Sequence, residues 1–358
     1  MDPNAARCFF PLTKQFIFMN HAGVSPLSER AKAALENLME QLVTRPYPEG
    51  LEEEESERLR DSIGRLVGAP PDTVGLVSSV NHGISLLTSG LDWRPGDNIV
   101  GIRGEQTAGA DPWTGLRERG VEYRPAPPVE GRLTAGLVLS LLDRRTRVVA
   151  LSHVGSWDGY RVELQEIGLE LRRRGIIFAV DVAQSAGALQ LDLEDLPVDF
   201  AFAPASKWLL GPRGIGFCYS RAGYGYEPAR TARRFEESGI SVLEMAAFGA
   251  GVDLLLEVGA AQVERQVLKL CHHLAGGLAE RGYEIVEPWP RDTGEDSGIV
   301  SFRRPGSPAQ EVLRDLNAAR VVGRTNGDSV RLSPHFYNTE EEVDHVLDVL
   351  APGGVTVG

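Results

Sequence analysis

The sequence predicts an α/β fold: a large domain with a mostly parallel seven-stranded sheet flanked by helices, followed by a small α+β domain. Three observations predict it. From Thr73 to Ser220, short runs rich in Val, Ile and Phe alternate with stretches of helical spacing. Such alternation implies parallel strands joined by crossover helices and covered on both faces. After about residue 240 it gives way to a long helical stretch and then to strand, helix and strand. Finally, 42% of the 358 residues are hydrophobic, enough core for two domains. The expected boundaries are 1–45 for an N-terminal segment packing with the small domain, 46–240 for the large domain and 241–358 for the small one.

The elements follow in order. A helix over residues 25–43 opens on Ser25-Pro26, a cap and first-turn pair, and carries Ala31, Ala34, Leu35, Leu38 and Leu42 at helical spacing. The acidic run Glu52–Glu55 suits a solvated helix start, where the macrodipole favours negative charge. Strands are expected at Val74–Val77, Asn98–Ile102, Val121–Arg124, Arg147–Leu151, Ile176–Val180, Val198–Ala203 and Ile215–Tyr219. Helices fall between them at His82–Leu91, Pro112–Arg119, Leu137–Leu142 and Glu163–Arg174, the last stopped by Gly175. Next comes Val242–Arg281, helical and broken near Gly259. Strands at Tyr283–Val286 and Ile299–Phe302, a helix at Gln310–Arg320 and strands near Val321 and at Ser329–Leu332 follow. The closing helix starts on a capping box, Thr339-Glu340-Glu341-Glu342.

Composition narrows the function. Net charge is −13 and no Lys/Arg-rich block occurs, which argues against nucleic acid and anionic membrane as partners. The N-terminus lacks the apolar stretch of a signal peptide, and no run approaches a membrane span. Cys8, Cys218 and Cys271 are too scattered for a disulfide framework or a metal cluster. A cytoplasmic protein with no metal site is expected.

Two residues carry the chemistry. Lys207 follows the apolar run Val198–Ala203, and Asp181 closes the run Ile176–Val180, 26 residues upstream. In open α/β sheets ligands bind at the carboxyl ends of the strands, where both residues fall. An amine there can form a Schiff base with the aldehyde of pyridoxal 5'-phosphate. A carboxylate can pair with the pyridinium nitrogen and keep the ring an electron sink.

The surrounding segments resemble one family. Ala150-Leu151-Ser152-His153-Val154, Gly159–Leu164, Asp181-Val182-Ala183-Gln184-Ser185-Ala186-Gly187-Ala188 and Lys207–Gly216 look like the core of the class V aminotransferase superfamily. Asn20–Pro26 and Arg331–Thr339 are similar too. The resemblance implies the aspartate-aminotransferase-type fold. It also implies that Lys207 is the Schiff-base lysine and proton shuttle, with Asp181 on the ring nitrogen and Gln184 on the phenolic oxygen. Arg331 then clamps the substrate α-carboxylate, since a guanidinium grips a carboxylate bidentately. The phosphate is expected in the cup Ser78–Ile84, with Val80, Asn81 and His82 at a helix start. His153 and Ser206 are further expected cofactor contacts, and His21 and Trp157 expected substrate contacts.

Departures from the family pattern matter as well. Gln106 stands where a histidine or aromatic usually stacks on the ring; an amide can lie flat there but cannot titrate. Pro204-Ala205-Ser206 replaces the common Ser-Gly-His, so only Ser206 can serve the phosphate. Asn81 stands in place of a usual threonine. The loop Val322–Asp328 contains no cysteine, and Cys218 and Cys271 lie on a strand and a helix. Desulfurase chemistry, which needs a nucleophilic thiol, is therefore expected to be disfavoured. The expectation is an aminotransferase acting on an amino acid. A lyase or epimerase is the alternative, and a non-catalytic binding protein the alternative of another class. The resemblance also implies a homodimer, with Glu236–Ser241 as the segment that reaches the partner's site.

Overall fold

The molecule was analysed as a computed structural model, which describes residues 1–102, 112–129, 131–221, 239–286 and 296–351. Strand β1 is Ile17–Phe18. The main sheet holds β2 (Val74–Val77), β3 (Asn98–Ile102), β4 (Glu122–Ala126), β5 (Thr146–Ser152), β6 (Ile177–Asp181), β7 (Phe200–Pro204) and β8 (Gly216–Ser220). Their order is β2-β8-β7-β6-β5-β3-β4. Pairing is parallel from β7 through to β4, and only β8 runs antiparallel to its neighbours. The expected mostly parallel seven-stranded sheet is therefore the one observed.

Period-two alternation along these strands divides the core between the two faces. Ile99, Val148, Ile177 and Phe200 pack on one side, and Val100, Val149, Phe178 and Ala201 on the other. Helix α1 (Val80–Gly90) covers the first face. It lies close because Gly83 has no side chain: a Cβ there would sit 2.7 Å from the Phe202 ring. That approach sets the helix start beside the carboxyl ends of β6 and β7.

A four-stranded sheet follows, of β9 (Glu284–Ile285), β10 (Val300–Arg303), β12 (Arg324–Asn326) and β13 (Ser329–Leu332), in the order β12-β13-β10-β9. Strand β11 (Val321–Val322) pairs instead with β1, and Asn20 bridges Ser333. The N-terminal segment thus hangs on the C-terminal chain. No described helix is long and apolar enough to cross a membrane.

Several boundaries differ from expectation. The first long helix runs over Glu29–Thr44, capped by Ser28, whose Oγ accepts the Ala31 N–H. Ser25 is not the cap: its hydroxyl turns to the Pro26 carbonyl and its N–H to Ser206 O at 2.8 Å. The segment at 112–119 tightens to a 3-10 turn over Gly115–Arg119. Gly259, at φ 93°, splits the long stretch into Val242–Val258 and Ala260–Glu280. The short strands β1 and β12 carried too few residues to show a period.

Candidate active site

Four of the residues singled out in the sequence converge at the carboxyl edge of β6 and β7. Asp181 is the last residue of β6, and Lys207 lies three residues beyond β7. Both keep a little accessible surface, yet each lies deep enough that burial dominates its protonation. Burial raises the Asp181 pKa, opposed by the Lys207 charge and the Ala183 N–H. Burial lowers the Lys207 pKa, opposed by Asp181 and reinforced by Arg331 and Arg324. Each charge thus favours the charged form of the other, against the burial of both. Asp181 Oδ1 accepts the Ala183 N–H at 2.7 Å, which aims the carboxylate. Asp181 also lines a small slot whose other walls, among them Ile84, Trp113, Ala150, Ala179 and Phe202, are apolar.

Gln184 is buried, and its amide has one possible orientation. Trp208 Nε1–H, which can only donate, points at Gln184 Oε1 at 2.8 Å. Gln184 Nε2 donates to Ala22 O at 3.0 Å. One N–H therefore remains for an acceptor such as a phenolic oxygen. Trp208, one residue past the lysine, was missed by sequence reasoning. Its carbonyl is held in turn by His335 Nε2–H at 3.0 Å.

Arg331, on β13, is 2% exposed, and its guanidinium is only partly satisfied. Nη1 donates to Ser156 O, while Nε and Nη2 are buried without a partner among the described residues. Burial and the Arg324 charge pull its pKa down to about 10, so it is cationic at neutral pH and short of an anion. Its guanidinium carbon stands 5.0 Å from the centre of the Trp157 ring. Trp157 is anchored by a hydrogen bond from Ser301 Oγ to its carbonyl. It also lines a hollow with Ile102, Leu133, Ser152 and Tyr160. Ser152 is the register partner of Asp181, which puts that hollow next to the slot at Asp181.

At the start of α1, Ser79 caps the helix by accepting the His82 N–H at 3.1 Å. His82 Nδ1 pairs with Ser78 Oγ at 3.0 Å. The amides of Val80 and Asn81, in the first turn, have no partner within the helix and suit a phosphate. Asn81 Oδ1 is buried without a partner among the described residues. Ser206 lies beside the lysine, its carbonyl bonded to the Ser25 N–H. Gln106 lies outside the described residues, as do 236–238 of the expected dimer segment.

Two of the expected contacts have other employment. His21 is buried, with Nδ1 on Ser333 O at 3.1 Å and Nε2 on Tyr337 Oη at 2.7 Å. A carbonyl can only accept, so Nδ1 carries the proton and Nε2 receives the Tyr337 hydroxyl. Neither nitrogen is left for a substrate. His153 Nδ1 bonds Ser185 Oγ at 3.0 Å, and its Nε2 accepts from Arg161 Nε at 3.3 Å. Burial and Arg161 lower its pKa to about 3, so it is a neutral packing residue. The physical reason is the same for both: a buried imidazole takes the nearest partners.

Comparison with known proteins points to one family. The family model "Aminotransferase class-V" matches residues 49–346. The chain is 31% identical to isopenicillin N epimerase of Streptomyces clavuligerus, covering 81% of this chain and 82% of that one. It is 26% identical to a probable cysteine desulfurase of Methanothermobacter thermautotrophicus, covering 81% and 82%. The fold superposes on the apo cysteine desulfurase of Thermococcus onnurineus with a TM-score of 0.87, at 24% identity over 98% of this chain and 97% of that one. These likenesses overturn the expectation that desulfurase chemistry is disfavoured. A loop at 322–328 without cysteine does not set the chain apart from that group, because a missing thiol at one position excludes neither a thiol from elsewhere nor C–S chemistry that uses none. The chain belongs to the class V aminotransferase family, the group of enzymes that depend on pyridoxal 5'-phosphate.

Proposed function

We propose that the chain is an aminotransferase for amino acids with a free α-carboxylate, with pyridoxal 5'-phosphate held by Lys207, Asp181, Gln184 and the start of α1. The observation that carries the reading is Arg331: a buried cation whose Nε and Nη2 have no partner among the described residues, in electrostatic reach of the lysine. An unpaired buried charge costs several kcal/mol, roughly 3–5 when one partner of a buried pair is removed, so a carboxylate that docks there recovers much of that cost.

When bound, the cofactor supplies an aldehyde for amines and a ring that delocalises electrons from the substrate α-carbon. The protein does the rest. Lys207, its proton affinity lowered by burial and by two arginines, is eased toward the neutral amine that would bind the aldehyde, and its Nζ would then carry the α-proton. Asp181, its pKa raised by burial, would be held as a carboxylate by a protonated ring nitrogen facing it. Gln184 would donate its remaining N–H to the phenolic oxygen without adding charge. Arg331 fixes the α-carboxylate and so the angle of the α C–H bond. Trp157 walls the substrate side.

The relatives supply a second reading, chemistry at a sulfur or α-carbon centre as in a lyase, desulfurase or epimerase. A panel of amino acids incubated with the holoprotein and a keto acid separates them. Transfer of the amino group to the keto acid is the expected result. Sulfur release from cysteine or cystine, or inversion at the α-carbon without keto acid, would replace the aminotransferase reading.

A further inference from the structure

We infer that Arg324 is a second anion-binding group of this site, and that the substrate is an amino acid whose side chain carries its own carboxylate. The inference rests on the reading of Arg331 as the α-carboxylate clamp.

Antiparallel pairing of β12 and β13 places Arg324 directly opposite Arg331, on the same face. Both guanidinium groups stand over one indole, that of Trp157, at 5.6 and 5.0 Å from its centre. Like charges facing each other across a strand pair destabilise it. The arginines at and just past the end of β10 are neutralised: Arg303 pairs with Asp328 at 2.9 Å and Arg304 with Asp315 at 3.2 Å. Asp328 is only four residues from Arg324 along the chain, yet it turns to Arg303. Among the described residues no carboxylate pairs with Arg324 or with Arg331. Arg324 is exposed, so a ligand can reach it, whereas Arg331 is buried.

Two facing cations without counter-charge among the described residues, both acting on the Lys207 amine, make a site that one carboxylate would neutralise by half. The α-carboxylate belongs on Arg331, whose orphaned N–H groups are desolvated. A side-chain carboxylate, as in aspartate or glutamate, then meets Arg324 at the solvent side of the same indole. Stacking on Trp157 keeps the fork planar and leaves its edge N–H groups for that oxygen pair.

Calorimetric titration of the holoprotein with succinate, glutarate and butyrate tests this without turnover, since none carries an amine. The inference expects at least one dicarboxylate to bind roughly tenfold or more tightly than butyrate, the worth of one charge-assisted bond pair. R324Q should erase that preference, and R331Q should weaken all three ligands. The position is exposed, so R324Q should keep its circular dichroism and melting midpoint. The inference is overturned if wild type shows no preference, if the preference survives R324Q, or if none of the three binds at millimolar concentration. R331Q without effect on any ligand would instead remove the clamp reading, and this inference with it.

Discussion

At the scale of single residues, each role follows from an environment that can be changed. Asp181→Asn removes the charge but keeps the shape. It should leave the fold and much of the cofactor in place and abolish most turnover, because a ring nitrogen without its carboxylate deprotonates readily. Near wild-type turnover would refute the ring-nitrogen role. Arg331→Ala removes one partner of a desolvated carboxylate, which costs roughly 2–5 kcal/mol. That is on the order of a thirty-fold to several-thousand-fold loss in kcat/KM for amino acids. Decarboxylated amines should be nearly indifferent, and equal losses for both classes would make Arg331 structural. The placement of Lys207, Asp181, Gln184 and Arg331 near one another was legible in the sequence because each stands at a strand end or in a motif. The partners were not. Trp208 fixes the Gln184 amide through the indole edge, a contact that no spacing reveals. His21 looked like a site residue because its partners, Ser333 and Tyr337, are more than 300 positions away.

At the scale of elements, the lysine loop is clamped from two sides. Gly187, at φ 90°, lies against it so closely that a Cβ would sit 2.4 Å from Trp208 O. Gly187→Ala should cost at least about 1–3 kcal/mol from backbone strain alone and should weaken cofactor binding, because Trp208 follows Lys207. An unchanged urea midpoint would show that the loop has room to move. On the other side His335 donates to Trp208 O and accepts the Phe336 N–H. Burial lowers its pKa to about 4, that of His153 to about 3, and that of His21 well below 6.5. Unfolded, each would take a proton near pH 6.5. Below that pH the unfolded chain binds more protons than the folded one, so stability falls as pH falls. The loss is about 1.4 kcal/mol per pH unit for each histidine, levelling near pH 4 for His335 and pH 3 for His153. Denaturant midpoints should drop between pH 7 and 5; a flat profile would mean that these imidazoles are protonated in the fold. Helices with strong caps were readable locally, as the box at Thr339 and Glu342 shows. The start of the first long helix was not, because Ser25 and Ser28 are equal as caps until tertiary contacts choose: Ser25 N–H is committed to Ser206 O.

At the scale of the whole molecule, the alternation of strand and helix foretold the main sheet, since parallel strands need crossovers and both faces need cover. What it could not foretell is the return of the chain start to the C-terminal strands, where β1 pairs with β11 and Asn20 with Ser333. Such pairing is nonlocal and only two residues long, too short for a periodic signal. It brings Ala22 to Gln184 and Ser25 to Ser206, so the first residues of the chain help to shape the site. We propose that two such chains associate. Sedimentation should then show a homodimer, and a fully active monomer would contradict it. The central claim is that this whole arrangement exists to present one lysine. The chain has four lysines, Lys14, Lys32, Lys207 and Lys269, and the three others lie away from the cavity that ends at Asp181. Borohydride reduction of the holoprotein followed by peptide mapping tests the claim directly. The account predicts a pyridoxyl group on Lys207 alone; the same label on Lys14, Lys32 or Lys269, with Lys207 unmodified, would contradict it.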